Sequence, residues 1–125
     1  MREEEIGRAL LDAAYRVHTA LGPGLLEGAY ELCLVHELQK AGLSVCRQVV
    51  LPLQYDGVEI ESAFRIDVIV GNCVIAELKS IETILPVHRA QLLSYLRLGG
   101  FKLGFLLNFH VAHMKQGVVR LVNGL

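Results

Sequence analysis

The stretch Arg65-Ile66-Asp67-Val68-Ile69-Val70-Gly71-Asn72-Cys73-Val74-Ile75-Ala76-Glu77-Leu78-Lys79 decides how this chain is read. Two β-branched, apolar runs flank a Gly-Asn turn, the pattern of a hairpin. Three charged residues interrupt it. Asp67 lies in the first run, and Glu77 and Lys79 alternate with Ala76 and Leu78 in the second. Residues two apart in a strand share a face, so Glu77 and Lys79 project together. Charges in a buried sheet cost free energy unless they are paired or bind a metal. The three residues therefore mark either an ion pair or a site.

Working outward, residues 47–55 alternate loosely, Asp56-Gly57 is a strong turn signal, and 58–70 reads as the returning strand. With 73–79 these segments form a three-stranded antiparallel meander. Pro52 lacks a ladder donor, which predicts an edge or bulged first strand. Ahead of the meander, 3–21 has helical spacing at Ile6, Leu10, Ala14, Val17 and Leu21, and acids at its start. Leu21-Gly22-Pro23-Gly24 stops that helix. A second helix spans about 26–40, with Tyr30, Leu34, Leu38 and Ala41 on one stripe. Beyond the meander, Pro86 opens a helix over 86–98 and Gly99-Gly100 ends it. Residues 102–109 and 118–122 read as strands. The order ααβββαβ with a trailing strand predicts an α/β (α+β) fold, a central mixed sheet flanked by helices.

A chain of 125 residues is expected to form one domain, 1–125, with a proper core. Hydrophobic residues make up 53% before glycine is counted, and mean hydropathy is +0.43. An ordinary soluble domain has roughly 45–50% with glycine included. The excess predicts an exposed apolar patch covered by a partner, with a homodimer favoured. No apolar run approaches the ~18–20 residues of a membrane span, and the start is acidic rather than basic. A cytoplasmic location without membrane contact is the expectation. Cys33, Cys46 and Cys73 are odd in number and lack CxxC spacing, which predicts buried, reduced thiols. A net charge of −1 argues against a general coat of positive charge but leaves room for a local basic strip.

Asp67 and Glu77, on adjacent antiparallel strands, can converge on one hard divalent cation. Lys79 shares the face of Glu77, placed to orient or help deprotonate an attacking water, or to offset developing charge. That is equipment for phosphodiester hydrolysis. The plainer alternative is a salt bridge from Lys79 to either acid. Glu27, at the start of the second helix, is a candidate third acidic ligand, or simply an acid complementing the helix dipole. His88, Gln91 and Tyr95 share a stripe of the third helix. Gln91 is placed to hold water or a phosphate oxygen, and Tyr95 to stack on a base or bond the nucleic-acid backbone. The alternative is a solvated helix flank, with Arg89, Arg97 and Lys102 as a modest basic edge. His110 and His113 follow a strand with no acid near them, and are set aside.

Gly24, Glu27 and Tyr30, then Asp67, nine residues and Glu77-Leu78-Lys79, then Gln91 and Tyr95, resemble the motifs of the GxxExxY family within the PD-(D/E)XK nuclease superfamily. The likeness covers about 6–122, and Ile66 stands where the signature has proline. It implies a restriction-endonuclease-like core in which Asp67, Glu77 and Glu27 bind Mg²⁺ (or Mn²⁺). Lys79 then assists the attacking water, and Gln91 and Tyr95 support the site. The implied function is hydrolysis of phosphodiester bonds in nucleic acid, DNA ahead of RNA. The alternative is a non-catalytic binding module on the nuclease fold, or a homodimeric subunit of a nucleic-acid-processing complex.

Overall fold

The computed structural model describes residues 2–125. Helix α1 (Arg2–Leu21) places Glu3, Glu4 and Glu5 at its positive end and buries Ile6, Leu10, Ala13, Ala14 and Val17. Leu21, expected on that stripe, is exposed in the terminal turn. Helix α2 (Glu27–Lys40) buries Tyr30, Glu31, Leu34 and Leu38, while Ala41 falls past the last turn as an exposed cap.

Strands β1 (Val45–Tyr55), β2 (Val58–Val70), β3 (Val74–Lys79), β4 (Leu103–Asn108) and β5 (Val118–Val122) form one sheet in that order. All neighbours are antiparallel except β3 and β4, which are parallel. Parallel neighbours need a crossover, and α3 (Pro86–Gly99) supplies it. The architecture is α+β, with the expected element order. Strand β1 is an edge, and its ladder shifts between Leu51 and Leu53, so Pro52 sits where its missing N–H is tolerated.

The sheet buries both faces. Val68, Val70, Val74, Ala76, Leu78, Leu103, Phe105 and Leu107 pack with α1 and α2. Phe64, Ile66, Ile69, Ile75 and Leu106 pack with Leu92 and Leu96 of α3. Each large side chain so buried contributes about 1.5–3 kcal/mol. Gly104 lets α3 lie close on β4, since a Cβ there would come within 3.0 Å of Ile75 and Leu96.

These two faces position the charged residues. Val74, Ala76 and Leu78 face α1 and α2, so by strict alternation Glu77 and Lys79 lie on the α3 side. In β2 the alternation inverts. Ile66 packs toward α3 and Val68 toward α1 and α2, although residues two apart should share a face. Asp67 sits at the switch.

The thiols are free, with Cys33 and Cys73 half-buried. Cys46 corrects the expectation of burial: it lies on the edge strand and is exposed. Among the described residues no helix is long and apolar enough to cross a membrane.

Candidate active site

The β2–β3 ladder ends at Val68 and Ala76. One step further, side chains replace backbone pairing. The Asp67 N–H donates to Glu77 Oε2 at 2.8 Å, and the Leu78 N–H donates to Asp67 Oδ2 at 2.9 Å. The two strands fork there, and two carboxylates fill the fork. Carboxyl oxygens thus take the place of the ladder carbonyls as acceptors.

Glu77 is only 5% exposed. Burial, followed by the negative charge of Asp67, pushes its carboxyl up to about 8. The Asp67 N–H and the charges of Lys79 and Arg65 oppose that rise without cancelling it. Each acid spends one oxygen on a backbone amide. No donor among the described residues is bonded to Asp67 Oδ1 or Glu77 Oε1. No described side-chain oxygen is both fully buried and unpartnered, so these two reach solvent. Adjacent carboxylates with one free oxygen each, repelling one another, suit a hard divalent cation held by one or two carboxylates and water.

The salt-bridge alternative is not what is seen. Among the described residues Lys79 forms no ion pair with Asp67 or Glu77, although its charge acts on Glu77. The backbone beneath it is held firmly. Lys79 C=O accepts the Phe109 N–H at 2.9 Å, and Asn108 clamps Ile81 through both its amide oxygen and its amide nitrogen.

Glu27 is placed differently from the other two acids. Its Oε2 accepts the Ser80 N–H at 3.1 Å, just past the end of β3. Among the described residues no three acids, histidines or cysteines gather into a metal-binding group. Glu27 is thus tied to the chain just past β3 and does not close a three-acid cluster with Asp67 and Glu77. Tyr30 works on the same loop. Its hydroxyl donates to Gly22 C=O at 2.6 Å and accepts the Leu25 N–H at 3.1 Å, while its ring stacks on Phe109 at 4.4 Å. Ser80 Oγ donates to Leu25 C=O at 2.7 Å, so the loop through Gly24 (φ 107°) ties α2 to the end of β3. Such a φ favours glycine.

On α3 the stripe divides. Tyr95 packs its ring on Phe64 at 5.1 Å, and burial, then the charges of Glu77 and Asp67, raise its hydroxyl above the usual phenol range. It is within electrostatic reach of both acids. Gln91 is exposed and has no hydrogen bond to the acids. The ring of His88 accepts the Leu85 N–H at 2.9 Å and serves as a helix cap. Three residues with parts in this region have no role in the sequence analysis above: Arg65, Ser80 and Asn108. Asn108 left a trace there, as a polar residue inside a wholly buried apolar strand.

A family model of the PD-(D/E)XK nuclease superfamily matches residues 4–121. The chain belongs to that superfamily. Its fork of two acids, with a lysine two residues on, lies where the PD-(D/E)XK signature falls in the sequence, and its α+β fold agrees with a restriction-endonuclease-like core. Membership makes nuclease-like chemistry the functional class and nucleic acid the substrate class. Comparison with curated proteins and with solved structures gives no significant match.

Proposed function

We propose that this protein, a GxxExxY-type PD-(D/E)XK member, hydrolyses phosphodiester bonds of nucleic acid, DNA ahead of RNA, with Mg²⁺ or Mn²⁺ as cofactor. The observation that carries the reading is the Asp67–Glu77 fork, two acids with oxygens that no described residue bonds, beside a Lys79 that pairs with neither acid among the described residues. Asp67 and Glu77 would hold the cation, with Glu27 at the margin. When bound, a divalent cation polarises a phosphoryl oxygen and makes water more acidic. Lys79 Nζ positions the attacking water and offsets negative charge that develops on the phosphoryl group. Tyr95 keeps its proton at neutral pH, so its hydroxyl is a donor to the substrate. Arg65 supplies a cation on the strand that carries Asp67, and Gln91 a polar group one helical turn before Tyr95.

The test is a calorimetric titration of the metal-free protein with Mn²⁺, followed by a panel of single- and double-stranded DNA and RNA. Binding is expected, and Asp67→Ala should weaken it by more than about tenfold, the scale of losing metal-site support. Protein that binds no divalent cation at millimolar concentration and cleaves none of the panel would sink the proposal. Cation binding without cleavage would favour the non-catalytic binding module.

A second copy of the chain is the partner we assign to the apolar excess. Exposed Val50, Tyr55, Val58 and Ile60 cluster on the β1–β2 hairpin, where β1 is an open edge. Identical open edges can pair antiparallel across a two-fold axis. Light scattering is expected to give twice the chain mass, and Tyr55→Glu with Val58→Glu to give the monomer. A monomeric wild type at high micromolar concentration would rule the dimer out.

A further inference from the structure

Glu31 is a buried acid with no part in the chemistry above. It is 5% exposed, on the apolar stripe of α2, and it reaches across to β1. Its Oε2 accepts Arg47 Nε at 2.8 Å and lies 2.6 Å from the second guanidinium nitrogen, while Oε1 accepts Gln48 Nε2 at 2.6 Å. A buried carboxylate needs such partners. The choice of Gln48 as a partner is informative. Its backbone is left-handed (φ 54°), a conformation costly for a residue with a Cβ.

Gln48 lies opposite Asp67. The β1–β2 ladder pairs Arg47 with Val68 and Val49 with Ile66, and the facing residues between them are these two. Both strands switch faces here. Val45 packs toward α1 and α2, whereas Val49 and Leu51 pack toward α3, the same inversion seen across Asp67 in β2. The register is unbroken across this pair, so the left-handed residue changes which way the side chains point without adding a residue to the strand. With regular alternation Asp67 would stand off one face of the sheet. At the switch its carboxylate instead turns along the sheet to the Leu78 N–H.

We propose that Glu31 is a positioning residue for Asp67, acting through Gln48 to hold the left-handed face switch that aims the Asp67 carboxylate at β3. The claim for geometry stands by itself, and its consequence for the cation rests on the function proposed above. Losing Glu31 removes the side-chain anchor of the left-handed residue, and the strand relaxes toward regular alternation of its faces. Glycine at position 48 adopts positive φ without help, so it should make Glu31 dispensable.

The experiment uses the full metal-free chain and reads amide hydrogen exchange at Leu78, then Mn²⁺ affinity. Glu31→Ala is expected to speed Leu78 exchange about tenfold relative to Ile75, the scale of one lost charge-assisted bond. Mn²⁺ affinity should fall about 10–100-fold, as for other supporting partners of metal ligands. The double variant Glu31→Ala with Gln48→Gly should restore both readouts to within a few-fold of wild type. A merely structural tie between α2 and β1 would not be rescued by glycine. Unchanged Leu78 exchange in folded Glu31→Ala, or failure of the glycine rescue, overturns the proposal. If Glu31→Ala does not fold, the same pair of readouts on Glu31→Gln, with and without Gln48→Gly, decides it. The expected exchange behaviour in a protein that binds no divalent cation and cleaves no nucleic acid would overturn the proposed function and leave the positioning role standing.

Discussion

Lys79→Ala is expected to lower the rate of phosphodiester cleavage about 10²–10³-fold, the range for removing one preorganised charge or donor, while Mn²⁺ affinity stays within a few-fold. The separation follows from two opposed effects on the acids. Lys79 helps hold the Glu77 carboxyl down, so its loss lets a proton compete better for that group near neutral pH. Its loss also removes a positive charge that repels the incoming cation. The two partly cancel in binding and do not cancel in catalysis, where Lys79 meets charge that develops only during the reaction. Lys79→Arg keeps the charge but brings a planar group that cannot give up its proton, and should recover only part of the rate. Single-turnover kinetics at saturating Mn²⁺, with calorimetry on the same samples, measures both quantities. Wild-type cleavage by the alanine variant would remove Lys79 from the mechanism.

The hairpin and its three charges were legible because period-two alternation and turn residues are local signals. Pro52 even announced an irregular edge strand, since its missing N–H has few homes in a sheet. The pairing of Asp67 with Glu77 was readable in outline, but the fork was not. It depends on Gln48, whose left-handed backbone is set by Glu31 from a helix 17 residues earlier. Nothing in the local pattern of 47–55 reports that tie. Glu31 did leave a mark: with Leu34 and Leu38 it falls at helical spacing, an acid on an apolar stripe. Glu27 shows the opposite limit. Motif spacing put it with the other acids, whereas its carboxylate is bonded to the Ser80 amide, a partner fixed by tertiary packing.

Stability of the metal-free protein is expected to fall as pH rises from about 5 to 8, and Glu77→Gln to abolish most of that fall. The Glu77 carboxyl stands at about 8 in the folded chain against 4.5 as its ordinary value, because burial and Asp67 disfavour the charged form. Between those values the folded state binds more protons than the unfolded state, so stability decreases with pH, by at most about 1.4 kcal/mol per unit. Below the lower value the penalty is absent, and above the upper value it is complete. Glutamine resembles the neutral acid, and its carbonyl oxygen can still accept the Asp67 N–H. The variant should therefore be the more stable protein above about pH 6 and the flatter one throughout. Mg²⁺ should flatten the wild-type curve as well, since a cation at Asp67 and Glu77 stabilises the charged pair and competes with the proton. It should do little for Glu77→Gln. Urea titrations at closely spaced pH values, with and without millimolar Mg²⁺, read all four curves. Parallel pH slopes for wild type and variant would show that Glu77 does not carry the buried charge, and would remove the electrostatic reason for a cation at the fork.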